Sequence, residues 1–462
     1  MRKLNERHVS LAACVALPVA VLSAAALQTA TPSAHEPSDD VDYVADVRFA
    51  LDEIDKHCSH FFGPKEIEWK RVRKEFMKEA KAVETHQEHL VLLVRLLARL
   101  KDGHAAVQPL EGGRDVTWPE MPEQTGPGMF LCRNGKKIYV KNSWNGAAAN
   151  GIKPGMEVVK IDGEKVNDWL ETRVETMCDT RSFSTPQQAF YYTCHWGLAD
   201  EVGTRWKLEL IDSEGKKRKR TITHTKANPV AWGPVFAPEG LEGTKDVSYG
   251  TTANGWGYVH LRRCRSDLPS QIDAALEVVG QRAGVILDFR ANGGGGFDHD
   301  AVLGRFVPKG HALQFAKRIE SAGAKPYGGP VVVIVDAGVR SAGETGSGMF
   351  KEDGRAYMIG ESPTAGMSSS KTTIELPSRL FSLYVSIASN KRRFNGGLGL
   401  EGIGAVPHES VSYDPDELAA GVDTLIRRAE ELLADFPKKE VPYDPEDFDW
   451  SPPATDEESE QD

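Results

Sequence analysis

The stretch Pro330-Val-Val-Val-Ile-Val-Asp336, continued by Ala337-Gly-Val-Arg-Ser-Ala-Gly-Glu344, decides the fold. Its first half is rich in β-branched residues and carries no polar alternation, which predicts a buried strand. The small residues after it form a turn, and residues 344–352 read as a helix that Asp353-Gly354 stops. Ser341 then stands on a strand-to-helix turn, its hydroxyl exposed near the helix's positive end. Backbone N–H groups without intrahelical partners are available there to a developing oxyanion. That is the geometry serine acyl transfer needs, so the chain reads as an enzyme.

Working outward, residues 257–261 and 284–289 read as strands flanking a helix at 268–281, a βαβ pattern. A glycine run, Gly293 to Gly296, follows the second strand and permits close backbone approach to a ligand. It is not a dinucleotide fingerprint, because His299 stands where the third glycine is required. Asp298-His299-Asp300 reads as a solvated helix start and not as a metal site. H-E-x-x-H, paired C-x-x-C and P-loop motifs are absent from the sequence, and Val339 replaces the first glycine of G-x-S-x-G. No cofactor or metal is expected. A further strand is expected at 356–359, and a single terminal helix at 414–436 with Asp414 as its cap.

Upstream, residues 42–106 read as helices. Val44, Val47, Leu51 and Ile54 make one apolar face, and 69–82 continues in helix formers. A third helix opens with the capping box of Thr85 and Glu88 and stops at Gly103. His104 follows at once. A serine hydroxyl needs a base, and histidine, with a pKa near working pH, is the default. Several histidines (His57, His60, His86 and His89) lie on predicted helix faces, whereas His104 leaves a helix and faces the next domain. From about residue 118 the texture changes to short strands (137–141, 157–161, 206–211, 218–224) with a helical stretch from near Asn167.

The 462 residues predict two to four domains. Arg2, Lys3 and Arg7 precede an apolar run at 11–27 with Ala24-Ala25-Ala26 as a cleavage site, which reads as a cleaved export signal and not as a stable membrane anchor. Losing residues 1–34 removes a net +2, so the formal charge of −11 becomes about −13. Nucleic acid and anionic membranes are therefore poor partners. The segment from Tyr443 holds nine acidic and no basic residues, the composition of a solvated tail. Export permits disulfides: Cys178 and Cys194 could pair, or the cysteines are buried free thiols.

Taken in order, four motifs resemble the C-terminal processing (tail-specific) serine peptidases, in the branch similar to the tricorn core. They are Leu100-Lys-Asp-Gly-His104, the PDZ-like segment 145–166, the strand and glycine loop 284–295, and the nucleophile segment 331–366. The resemblance covers roughly residues 90–411. It implies an α/β architecture: a leader (1–34), an N-terminal helical domain (41–116), a PDZ-like β-rich domain (117–228) and a ClpP/crotonase-like α/β peptidase core (229–412). A C-terminal helix (413–437) and an acidic tail (438–462) follow. It further implies Ser341 as nucleophile, His104 as general base and Glu401 as the carboxylate orienting that base. Ala342 with Gly294 or Gly295 would form the oxyanion hole. Gly126, Gly128, Met129 and Phe130 would present N–H groups to the C-terminal carboxylate of a polypeptide added as a strand. Met367 occupies the place of the family's lysine and Lys371 comes four residues late, as a surface residue, so the pair expected is Ser–His. Gly103 stands where the tricorn type has a serine. An inactive peptide- or ligand-binding protein on the same scaffold is the rival, and an esterase the third reading. The sequence leaves the oligomeric state open.

Overall fold

The computed structural model describes residues 41–113, 124–226, 236–314, 318–389 and 393–437. The predicted leader and acidic tail lie outside them. At the centre is a seven-stranded sheet in the order Glu242–Gly243, Val247–Thr251, Gly257–Leu261, Val285–Asp288, Val331–Val335, Tyr357–Gly360, Glu409–Ser410. It is antiparallel at its first edge and parallel from Gly257–Leu261 onward. Val285–Asp288 and Val331–Val335 are buried throughout, because the helices Leu268–Val279, Ala342–Glu352 and Thr424–Ala434 pack against this sheet. Parallel sheets need both faces covered, which is why these strands read as unbroken apolar runs. Their carboxyl ends release the glycine loop and the Ser341 turn side by side, where open α/β sheets bind ligands.

The helices Tyr43–Phe62, Trp69–Glu79 and His86–Ala98 form, but the third ends at Ala98 with Arg99 as its cap and not at Gly103; the left-handed residue before His104 is Lys101 (φ +48°). Asp42 caps the first, and the box of Thr85 and Glu88 closes on the third. They do not bury their apolar faces on one another alone. A hairpin, Ser369–Glu375 with Phe381–Ser389, pairs with Ala106–Pro109 and inserts Ile374, Leu376, Leu383 and Val385 into the helical core. The helical unit is thus completed by a segment from far along the chain.

The single helix expected at 414–436 is two helices, Pro415–Ala419 and Thr424–Ala434. Gly421, at φ +77°, turns the chain. Asp423 then caps the second helix, accepting from the amides of Leu425 and Ile426. The break has a use: Asp423 also takes the buried Arg290 guanidinium (2.9 Å), which grips Asp288 on the strand leading into the glycine loop.

The β-rich unit builds its sheet on the order Met129–Asn134, Lys137–Ser143, Glu157–Ile161, Arg205–Ile211, Lys217–Thr223. It docks on the central sheet through a buried ion pair, Lys141 Nζ to Glu361 (2.6 Å), with Tyr413 and Tyr191 flanking the ammonium. Lys141→Met is expected to leave Glu361 without its cation and to lower unfolding free energy by about 3 kcal/mol, read by urea titration. Cys58, Cys132, Cys178, Cys194 and Cys264 are all free, so Cys178 and Cys194 do not pair. Among the described residues no helix is long and apolar enough to cross a membrane.

Candidate active site

Ser341 adopts φ 55°, ψ −126°, a conformation that a non-glycine residue takes only when its surroundings impose it. Three contacts impose it. Asp336, at the end of its strand, accepts from the amides of Gly338 (2.9 Å) and Ala291 (3.1 Å), tying the turn to the glycine loop. Arg340 N–H donates to Asn292 O (3.0 Å). From the other side, the buried Glu344 carboxylate accepts from Ser341 N (3.1 Å), Gly366 N (2.7 Å), Met367 N (2.8 Å) and Thr364 Oγ1 (2.6 Å). Burial pushes that carboxyl up to about 8, against the donors that favour its charged form.

The glycine loop closes on the turn. A Cβ on Gly294 would lie 2.8 Å from Ser341 Cβ, and one on Gly295 would lie 1.7 Å from Cys264 O. Both residues have positive φ, so glycine is required twice over. The Gly294 amide already donates to Asn292 Oδ1 (2.8 Å). Among the described residues nothing accepts from the amides of Gly295 and Ala342. Of the three oxyanion donors expected, these two are the ones free to serve.

His104 sits on a loop fixed by its neighbours. Asp102 N donates to Ser182 Oγ (2.7 Å) and Gly103 N to Ser184 Oγ (2.9 Å). The buried Asp102 carboxylate accepts from His104 N (2.9 Å), Ser386 N (2.8 Å) and Ser386 Oγ (3.0 Å). Glu401, 297 positions away in sequence, joins this group: ligand atoms of Asp102, His104 and Glu401 lie within 4.8 Å of one another. Glu401 Oε1 accepts from Lys65 Nζ (2.6 Å) and Ser184 Oγ (3.1 Å). Its Oε2 and the His104 Nδ1 are both buried without a partner. The two are unsatisfied and complementary, and their side chains belong to one cluster.

Burial lowers the His104 ring to about 4, helped by Lys371, Arg340 and Lys65 and opposed by Asp102. Burial likewise raises Glu401 to about 7, with Asp102 adding to it and Lys65 and Ser184 opposing. The groups could in principle ligate a cation, but Lys65, Lys371 and Arg340 make the surroundings positive, which disfavours a metal ion.

No hydrogen bond joins the Ser341 hydroxyl to the His104 ring among the described residues. The two are nevertheless on neighbouring walls. A Cβ on Gly103 would stand 2.8 Å from Met367 Sδ, and Met367 N shares the Glu344 carboxylate with Ser341 N. Catalytic hydrogen bonds in unliganded enzymes are commonly long and tighten with substrate.

Sequence reasoning missed two cations. Lys65, beyond the first helix, is buried against Glu401. Lys371, expected at the surface, is half-buried within electrostatic reach of Asp102, His104 and Glu401. The strand register slips between Ser370 and Lys371, and such an irregularity re-aims a side chain in a way that spacing cannot show.

Gly126, Gly128, Met129 and Phe130 are not brought to this site. They are buried, with Gly128 at φ +82° under Trp144 and the Phe130 ring against Trp144 (4.8 Å) and His195 (4.5 Å). Met129–Asn134 is an edge strand, yet Arg133 lies over the Phe190 ring (4.1 Å) of the helix beside it.

A strained serine at a helix N-terminus lies beside glycine amides, and the half-buried His104 stands in one cluster with the buried Asp102 and Glu401. Residues 255–411 match the sequence model of peptidase family S41. A carboxyl-terminal-processing protease of Picosynechococcus sp. is 22% identical over 361 residues, 75% of this chain and 78% of the relative. The chloroplastic C-terminal processing peptidase of Tetradesmus obliquus is 27% identical over 318 residues, 66% of this chain and 63% of the relative. The crystal structure of mature CPAF shares the fold at a TM-score of 0.64 and 12% identity, covering 88% of this chain and 99% of CPAF. Residues 255–411 thus carry the match to peptidase family S41, and the chain is similar to C-terminal processing peptidases, which indicates a serine peptidase.

Proposed function

We propose that this peptidase cleaves through an acyl-enzyme on Ser341, with His104 as general base, Glu401 as the carboxylate behind it, and Ala342 and Gly295 as oxyanion donors. The observation that carries the reading is the pair of orphaned buried atoms, His104 Nδ1 and Glu401 Oε2, in one side-chain cluster, together with the strained backbone of Ser341. Once Nδ1–H donates to Glu401, Nε2 is left as the acceptor for the Ser341 proton, and it later returns that proton to the leaving amine. The tetrahedral oxyanion forms against two amides that need not reorganise, each worth about 3 kcal/mol in the transition state. Met367, in the lysine's place, lends its amide to Glu344 and its side chain to Gly103 and Gln188, with no base to offer. Residues 1–34 support export, and the 145–166 motif supports a PDZ-like origin for the β-rich unit.

A serine-directed fluorophosphonate should label the protein at Ser341. Labelling that survives undiminished in Ser341→Ala would reject the assignment.

The pH dependence follows from the charges around the pair. Catalysis needs His104 neutral and Glu401 ionised, and the two titrate as a coupled unit. A nearby cation favours both required states. Lys371→Met should therefore move the acid limb of the kcat/KM profile to higher pH, with the plateau rate nearly kept. A limb that stays or moves down would show that Lys371 does not face the pair.

A further inference from the structure

The family match begins at residue 255, yet a short segment well before it reaches the proposed machinery. Residues 182–188 lead into the first turn of the helix Pro186–Cys194, with Thr185 as its cap. Thr185 Oγ1 donates to Ala365 O (2.8 Å) and Gln188 Nε2 to Met367 Sδ (2.9 Å). The segment thereby holds the run whose Gly366 and Met367 amides share the Glu344 carboxylate with Ser341 N. Its other side meets the His104 loop, where Ser182 and Ser184 accept from the amides of Asp102 and Gly103.

Ser184, only 5% exposed, bonds to two parts of the site at once. Its Oγ accepts from Gly103 N (2.9 Å) and donates to Glu401 Oε1 (3.1 Å). A hydroxyl has one proton to give, and with the Gly103 amide on a lone pair that proton is committed to the carboxylate. Lys65 Nζ approaches the same oxygen (2.6 Å). Two donors therefore occupy Oε1, and Oε2 is left as the oxygen open to His104 Nδ1. The last torsion of a glutamate is soft, so a carboxylate gripped by Lys65 alone is free to turn and exchange its oxygens. A second donor, from a different element, stops that rotation.

Resting on the peptidase reading above, we propose that Ser184 is a positioning residue for the reaction: its hydroxyl is a strut that fixes Glu401 and the His104 loop relative to each other. It acts through these two groups and not on the reacting atoms. Burial and Asp102 push the Glu401 carboxyl up, while Lys65 and Ser184 hold it down. The titratable groups facing that carboxyl are Lys65, Asp102, His104, Lys371 and Glu344, and all of them stay when Ser184 is replaced. Removing the hydroxyl takes a donor from the ionised form, so the carboxyl rises further. The ionised state that catalysis needs is then reached only at higher pH.

The test reads the rate of Ser341 labelling by the fluorophosphonate across pH, on the full chain, at equal content of folded protein. Ser184→Ala should lower the maximal labelling rate about tenfold at neutral pH, with the half-saturating concentration within about twofold of wild type. Its acid limb should move to higher pH, and raising the pH should restore much of the rate. Ser184→Thr, which keeps the hydroxyl, should lie nearer wild type, and Ser184→Cys, a weak donor of similar size, serves if the alanine variant does not fold. Ser182→Ala is the comparison: it loses a bond to the same loop but none to a carboxylate, so its limb should stay in place. An unmoved limb in the Ser184 variants, or an equal shift in Ser182→Ala, would overturn the strut. Glu401→Gln reports on the underlying reading. If it slows labelling while Ser184→Ala matches wild type, the strut alone fails; if it labels as fast as wild type, the proposed base pair and the strut fall together.

Discussion

Ser341→Ala should lower kcat on a fluorogenic peptide by about 10⁶, and His104→Ala should do nearly the same. The double variant should be no slower than either single one. A hydroxyl without its base is a poor nucleophile, and a base without its hydroxyl has no proton to take, so the second loss removes nothing further. What remains should be the contribution of the amides of Ala342 and Gly295 and of substrate binding, about 10³ over water. Independent losses that multiply in the double variant would mean the two side chains act in different steps. A His104→Ala protein retaining more than about a hundredth of the activity would point to another base, and Lys371 is the cation near enough to consider. Folding is not a confounder for the serine: Ala keeps Cβ, and the contacts that hold the turn go to the backbone of residues 338–341.

How much of this could be read in advance depends on sequence distance. The Ser341 turn was legible because strand, turn and helix are local, and their patterns sit within some twenty residues. His104 stood out as a histidine on the loop beyond the third helix, though that helix ends at Ala98 and not at Gly103, and the glycine loop stood out as a run that close approach explains. Glu401 came only from family resemblance, since an acid in a glycine-rich loop has no local mark of burial. Lys65 had no mark at all: its environment is made by residues 101, 184 and 401, which only the tertiary fold assembles. The hairpin of Ser369–Glu375 and Phe381–Ser389 was missed because what completes it, the helical core, lies nearly 300 residues upstream. The terminal helix was read as continuous because helical propensity resumes on both sides of Gly421, and its break is fixed by what Asp423 must reach. The loop at Gly126–Phe130 shows the converse. There Gly128 is required for its positive φ and its fit against the Trp144 carbonyl, a reason that spacing does not show.

Glu401→Gln should cost about 10²–10⁴ in kcat with KM little changed. An amide in that place can present its NH₂ to Nδ1, which stabilises the wrong tautomer and withdraws the charge that would balance an imidazolium. Lys65 then becomes the more revealing residue, since it touches neither serine nor histidine. It holds Glu401 through Nζ, donates also to Lys101 O at 2.7 Å, and is itself gripped by Lys101 Nζ on its own carbonyl. In Lys65→Met the carboxylate keeps Ser184 but loses its counter-charge, so its pKa, already raised by burial, climbs further. At neutral pH more of Glu401 is then protonated and cannot orient His104. The expected result is a kcat lower by about tenfold to a hundredfold, restored in part by raising the pH, with Lys65→Arg closer to wild type. A cation that served the fold alone would give a different pattern: lowered urea stability, fewer active molecules, and a pH profile of unchanged shape. The sign separates the two cases, because loss of a positive charge beside the pair can move the acid limb only upward. A Lys65→Met enzyme whose limb is unmoved, at equal active-site titre, would place the lysine among the residues that merely fasten the N-terminal helices to the core.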